Sequence, residues 1–270
     1  MFKKYILVFF FVLTSSCNTV TGTIEGTALG VVKDVKSTYH YSTCVFTKVT
    51  CGDLDLDWLT LNYKKYFRKT SLKQKGVGEF FLDEIATNKP RVFLEVGVFH
   101  GVTARNVCEL LHKLHGKDFK YVGLDLFEVT SENKSEIIPN TKFSNPLKNI
   151  YFNYIKKQNP YSLGAVEELL KKFKNNVSLI KGNSNIILKK IDMSKIDYVF
   201  LDGGHDYQTV KNDLDCCREV IINGGTVLCD DYDLSYAPGV KKAIDEFTSK
   251  KNFNLRILNS RFAEISKDST

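Results

Sequence analysis

The 270-residue chain has no pair of Cys-x-x-Cys units, so the spacing that closes a structural zinc site is missing. It also lacks any compact Arg/Lys block interleaved with aromatics, the pattern of a nucleic-acid groove. Lysine and arginine (38) do outnumber aspartate and glutamate (31), for a net charge of +7. That excess is lysine scattered over helical and loop-like stretches, which describes a solvated surface and excludes a nucleic-acid partner. The apolar run Tyr5–Leu13 is too short to span a bilayer comfortably. Finally, the first strand-to-helix turn is not Gly-x-Gly-x-x-Gly, so it does not match the turn that cradles a pyrophosphate.

What is present is an ordinary globular composition, 43% hydrophobic and 26% charged, able to bury a core. "MFKKYILVFFFVLTSSC" has two lysines, the short apolar run, then small polar residues and Cys17. Residues 1–17 therefore have the layout of a signal or membrane-attachment segment, close to a bacterial lipoprotein ending. Residues 18–52 are rich in Thr, Gly and Ser without a period, and are expected to be a linker or weakly ordered stalk. The folded domain is expected over 53–270. Of the seven cysteines, Cys108, Cys216, Cys217 and Cys229 fall inside helix or strand patterns, where free cysteine acts as a small hydrophobe. That usage points to a reducing compartment.

Two short helices are expected first, over "LDWLTLNYKKYF" (56–67) and "GEFFLDEIATN" (78–88). From Arg91 strand and helix patterns alternate. "RVFLEVG", "YVGLDLF", "VSLIKG", "DYVFLDGG" and "GGTVLCDDY" are short apolar strands, and "FNLRILNSRFAEIS" is an antiparallel pair. Apolar runs of this kind separated by helices argue for an α/β fold: a Rossmann-like doubly wound sheet, mostly parallel and covered on both faces. Such sheets bind ligands at the carboxyl ends of their strands, where strand order reverses.

The first of those ends reads Glu95-x-Gly97-x-x-x-Gly101. Gly97 permits a tight turn, and Gly101 lets the helix start pack close to a ligand. An acid just before the glycine suits a cationic ligand such as an amino group or a sulfonium. Asp125 ends the second strand, the place from which a carboxylate takes ribose hydroxyls. On these residues the core from about Gly76 to Lys267 resembles class I S-adenosylmethionine-dependent methyltransferases. Within them it is similar to the metal-dependent O-methyltransferases of the catechol and macrocin type. The resemblance implies seven strands with the last antiparallel. It places Glu95, Gly97 and Gly101 at the methionine part of S-adenosylmethionine, Asp125 at the ribose, and Ser184 and Asn185 of "KGNSN" at the adenine. Ser184 also suits the cap of the following helix. His100 stands in the cofactor loop, as a contact to the methionine carboxylate or as a filler, and Glu128 stands just beyond Asp125. Asp202 is placed with the cofactor as well.

"FLDGGH" closes the fourth strand and "LCDDY" the fifth. Neighbouring parallel strands bring such ends together, so Asp202, Asp230 and Asp231 are expected to share one small volume. Three carboxylates there repel unless a cation joins them, and a hard divalent ion, Mg²⁺ above all, is the expected partner. The resemblance implies the same trio as metal ligands. His205 stands where catechol-type enzymes place a lysine base, and imidazole is adequate for that role near neutral pH. General base, metal ligand and solvent-facing residue all stay open for it. Asp202 and His205 are the expected catalytic pair.

The function expected is methyl transfer from S-adenosylmethionine to a hydroxyl of a small-molecule acceptor. An NAD(P)-dependent oxidoreductase, or a lipid-anchored binding module with a vestigial site, stands as the alternative. The catalytic domain is expected in the cytoplasm, where the cofactor is, with membrane attachment through residues 1–17 and a homodimer left open. The lid is expected in the long segment between the second and third strands. Its aromatics Phe143, Tyr151, Phe152, Tyr154 and Tyr161 either line a pocket or pack.

Overall fold

A computed structural model of the chain describes residues 61–127, 142–249 and 253–268. The chain divides into two units, 1–60 and 61–270, and only the second falls among these residues. The expectations for segments 1–17 and 18–52, for the half of the first expected helix before Leu61 and for Glu128 lie outside them. No helix among the described residues is long and apolar enough to cross a membrane.

The second unit is built on a seven-stranded sheet in the order β3-β2-β1-β4-β5-β7-β6. The strands are β1 (Val92–Val96), β2 (Lys120–Asp125), β3 (Val177–Lys181), β4 (Tyr198–Leu201), β5 (Thr226–Cys229), β6 (Phe253–Leu258) and β7 (Phe262–Lys267). β1 to β5 pair in parallel, and β7 runs antiparallel to both of its neighbours. The expected doubly wound sheet with an antiparallel last strand is therefore found. β4 and β5 are buried along their whole length, as strands covered on both faces must be. Phe93 pairs with Tyr121 on one side and Tyr198 on the other, and the three rings stack at 6.1 and 5.4 Å across the sheet.

The long helices carry apolar faces onto this sheet. They are α1 (Val77–Asn88), α2 (Val102–His115), α4 (Leu163–Leu170), α6 (Tyr207–Ile222) and α7 (Pro238–Ser249), with the short α3 (Pro146–Ile150) and α5 (Ser184–Ile187) between them. Asp206 opens α6 by accepting the Thr209 backbone N–H at 3.0 Å. Cys108, Cys217 and Cys229 are buried and Cys216 half-buried, all of them free thiols. Chain order reverses between β1 and β4, so the carboxyl ends of β1, β2 and β4 surround one crevice.

One expected helix is corrected. Residues 61–67, the described part of the 56–67 segment, form no helix, and Tyr66 and Phe67 are left-handed at φ 45° and 57°. Tertiary hydrogen bonds replace the helical ones. The Tyr63 hydroxyl bonds the Thr70 and Thr103 hydroxyls at 2.7 and 2.8 Å. The Asn106 side chain takes both the Lys64 N–H and the Lys64 carbonyl, each at 2.9 Å. The aromatics of the 142–162 connection divide: Phe143 and Tyr161 line the crevice, Phe152 is buried under Phe143 at 5.1 Å, and Tyr154 is exposed.

Candidate active site

The turn after β1 is held from two sides. Gly97 has φ +96°, and a Cβ there would stand 2.0 Å from the Asp202 carbonyl oxygen. The glycine is needed because the chain end of β4 passes against it. Phe99 is left-handed at φ 51°, and its N–H donates to Asp125 Oδ2 at 2.7 Å. Asp125 Oδ1 accepts the Tyr161 hydroxyl at 2.7 Å and the Phe127 N–H at 3.1 Å. The ends of β1, β2 and β4 are thus joined through named bonds and one close approach.

Gly101 is packed against α4 and is not among the residues that line the crevice. At φ +73°, its missing Cβ would meet Val166 Cγ1 of α4 at 2.8 Å. Glu95 Oε1 is buried without a hydrogen-bond partner among the described residues. The residue is buried beneath the crevice and accepts the Tyr121 hydroxyl on Oε2 at 2.5 Å, and it is absent from the crevice lining. Burial pushes its carboxyl up to about 8, against the Tyr121 hydrogen bond and with help from Asp125. Its folded pKa therefore lies above the unfolded one. The native state holds the proton more tightly, and the stability this gives is full below the unfolded pKa and lost as pH rises through about 8. Glu95→Gln keeps an acceptor for Tyr121 and removes that loss. The variant is expected to melt higher than the parent at pH 8.5 and about level at pH 5. Parallel melting curves across that range would contradict the assignment.

His100 is fully buried, takes the Lys69 N–H on Nδ1 at 3.2 Å and stacks on Phe99 at 4.0 Å. Burial, then Arg68, Lys69 and Lys148, push it down to about 3, so it is neutral at any working pH. Ser184 lines the crevice, but the cap of α5 is Asn183, whose Oδ1 accepts the Asn185 N–H at 2.8 Å. Asn185 is turned to α6, where its Oδ1 accepts from Asn212 at 2.8 Å.

The expected carboxylates do gather at the ends of β4 and β5. Asp230 and Asp231 are each 3% exposed, while Asp202 is half-buried. Their arrangement differs from the expected trio in one respect. Arg261, on the turn between β6 and β7, forks onto Asp230 with Nε–Oδ1 and Nη2–Oδ2 both at 2.5 Å, and stands 3.3 Å from Asp231. Both Asp230 oxygens are committed to that fork. The atoms that lie within 4.8 Å of one another, as metal ligands must, belong to Asp202, His205 and Asp231. His205 Nε2 stands 3.1 Å from Asp231 Oδ2, and Tyr236 donates to Asp231 Oδ1 at 2.7 Å. Asp231 is left-handed at φ 61°, so the backbone is strained where the site is built. Loss of hydration, then Asp230 and Asp231, push the Asp202 carboxyl well above its usual range, against the Ser71 hydroxyl at 2.6 Å and the Arg261 charge. Burial acts on Asp231 in the same sense but is outweighed by His205, Tyr236 and Arg261, so it stays charged. A divalent cation fits this donor set: it would offset both the lost hydration and the repulsion that raise Asp202.

Gly97, His100, Asp125, Ser184, Asp202 and His205 line one cleft of about 990 Å³. That volume lies at the top of the range for small-molecule sites, about 300–1,000 Å³, and leaves room for two ligands side by side. The model of a family described as a methyltransferase domain matches residues 94–232, from β1 through β5 to the carboxylate pair. The chain belongs to this methyltransferase family. Residues 94–232 of the methyltransferase domain contain every expected site residue and exclude Arg261. No curated protein matches the chain. Similar solved structures include CalS11, a TDP-rhamnose 3'-O-methyltransferase of calicheamicin biosynthesis. It is 17% identical over 90% of this chain and 98% of that one, with a TM-score of 0.50. Another is the SAH-bound methyltransferase PaMTH1 of Podospora anserina, 19% identical over 90% of this chain and all of that one, with a TM-score of 0.48. At such identities the likeness is one of fold.

Sequence reasoning missed three participants. Arg261 has no motif and comes from a hairpin turn, Ser71 precedes the core, and Tyr161, expected to line a pocket or pack, is also a hydrogen-bond donor to Asp125. Ser71 bonds Asp202 and Arg261 bonds Asp230.

Proposed function

We propose that this methyltransferase moves a methyl group from S-adenosylmethionine to an oxygen of a small acceptor, with a divalent cation beside the reacting hydroxyl. The observation that carries this is the grouping of Asp202, His205 and Asp231, of which Asp202 and His205 line the same cleft as Gly97 and Asp125. After the bonds of Phe127 and Tyr161 to Oδ1 and of Phe99 to Oδ2, Asp125 keeps a lone pair on Oδ2, which would accept a ribose hydroxyl. The Gly97 turn would take the methionine part, and Ser184 the edge of the base. S-adenosylmethionine supplies the electrophilic methyl carbon. A cation held by Asp202 and Asp231 would lower the pKa of the acceptor hydroxyl.

His205 then has one of two roles, and the nature of the metal separates them. A hard ion such as Mg²⁺ prefers oxygen and leaves the imidazole free to take the hydroxyl proton, with Asp231 holding the ring in place. A softer transition metal recruits the imidazole as a ligand. We assign His205 as the base and Mg²⁺ as the ion. His205→Ala is expected to keep Mg²⁺ affinity, measured by calorimetry, and to lower S-adenosylhomocysteine release by ~10²–10⁴-fold. Loss of Mg²⁺ affinity with turnover would make His205 a ligand instead.

A further inference from the structure

The cleft carries a second concentration of charge, opposite in sign to the aspartates. Lys65, Arg68, Lys69 and Lys73 from the segment before α1, and Lys142 and Lys148 from the β2–β3 connection, all line it. The ammonium groups of Lys69 and Lys148 each lie 5.5 Å from the centre of the Phe143 ring, and that of Lys148 lies 5.1 Å from the Phe67 ring. Two like charges therefore share one aromatic ring. Burial and then repulsion from Lys73 and Lys148 lower the Lys69 pKa, and the same neighbourhood helps to keep His100 neutral. The Arg68 guanidinium spends its donors on the carbonyls of His100, Pro160 and Ala165 at 3.1, 3.1 and 2.9 Å, which leaves its charge uncompensated by any carboxylate bond. Among the described residues no carboxylate lies within 4.0 Å of Lys73 or Lys148.

The Lys69 ammonium donates to the Lys142 carbonyl and that of Lys148 to the Arg68 carbonyl at 3.4 Å. These neutral acceptors leave the charge in place, and an anionic ligand would lower the energy of this positive wall of the cleft. S-adenosylmethionine cannot be that anion. Its amino-acid end is a zwitterion and its sulfonium is positive, so it adds net positive charge to the cleft. We propose that the methyl acceptor carries a multiply charged anionic group, a phosphate ester or a polycarboxylate, which the cluster around Phe143 binds while the acceptor hydroxyl faces His205. The inference rests on the methyl-transfer reading above. Lysine suits such a group as a set of mobile point charges, without the fixed fork of arginine.

The test uses the protein first saturated with S-adenosylhomocysteine, so that the methionine carboxylate site is filled. Pyrophosphate and citrate are titrated separately by calorimetry, at constant ionic strength and without divalent metal. At least one is expected to bind at a single site. Lys73→Ala/Lys148→Ala should weaken that binding roughly tenfold or more, and leave S-adenosylhomocysteine affinity unchanged. Lys65→Ala/Lys73→Ala, at two exposed positions, should weaken it in the same direction, whereas Lys211→Ala/Lys241→Ala should not. Pyrophosphate alone assigns a phosphate, and citrate alone a carboxylate. Binding of neither anion, or equal binding by parent and both cluster variants, overturns the proposal. Failure of S-adenosylhomocysteine to bind at the first step counts against the methyl-transfer reading instead, and titration of the unloaded protein then decides the cluster by the same criteria.

Discussion

Asp202→Asn is expected to abolish divalent-cation binding while leaving the metal-free protein at least as stable as the parent. The two effects come from one cause. Loss of hydration and the neighbouring Asp230 and Asp231 push the Asp202 carboxyl up, so its charge is a liability until a cation arrives. The amide keeps an acceptor for Ser71, whose hydroxyl stands 2.6 Å from Oδ2, and removes the repulsion. As a metal ligand the amide is poor, and the loss of Mg²⁺ affinity should exceed the roughly 10–100-fold typical of an outer partner's removal. Thermal melting with and without Mg²⁺ reads both effects. The parent should gain stability from the ion and the variant should not. A variant that melts well below the parent in chelator would mean that Asp202 is a structural acceptor and not a ligand.

The second large effect is expected at Gly97. Gly97→Ala places a methyl group 2.0 Å from the Asp202 carbonyl oxygen at φ +96°, so the turn after β1 and the end of β4 must separate. Backbone strain and overpacking each cost about 1–3 kcal/mol, so a loss of about 3–5 kcal/mol is expected. At this size that corresponds to a fall in melting temperature of ~10 °C. Gly76→Ala is the matched control. Its φ is +81° and nothing lies within 4 Å of the added atom, so it bears backbone strain alone. It should lose only about 1–2 kcal/mol. Because Gly97 touches the residue that begins the acidic grouping, S-adenosylhomocysteine and Mg²⁺ binding should weaken together in Gly97→Ala. Equal melting of the two variants would show that the collision is relieved without cost.

The strand ends were legible because each one announces itself locally. A short apolar run that ends on glycine or aspartate needs no distant information, and in a parallel sheet that pattern brings Gly97, Asp125, Asp202 and Asp231 to one edge. What the pattern does not encode is the partner of each group. Gly97 and Gly101 look like places for a ligand to approach, yet their missing side chains make room for the Asp202 backbone and for Val166. Glu95 looks like a cleft residue, but strand alternation turns it under the turn to Tyr121. Asp230 and Asp231 are indistinguishable in sequence. Arg261, 31 residues further on, separates them by occupying both oxygens of the first. The segment 61–67 carries a helical spacing of apolar residues, but Tyr63, Thr70, Thr103 and Asn106 outcompete the helix with tertiary hydrogen bonds. Pairing across long separations is what local periodicity cannot show.

The cleft lined by Gly97, Asp125 and Asp202 is expected to hold the methyl donor. Calorimetric titration of the purified protein with S-adenosylhomocysteine, beside its Asp125→Ala variant, tests it most directly. The account predicts one site in the parent and an affinity about 10- to 100-fold weaker in the variant, the worth of hydrogen bonds to a charged acceptor. No binding to the folded parent, or equal affinity in the two proteins, would contradict it.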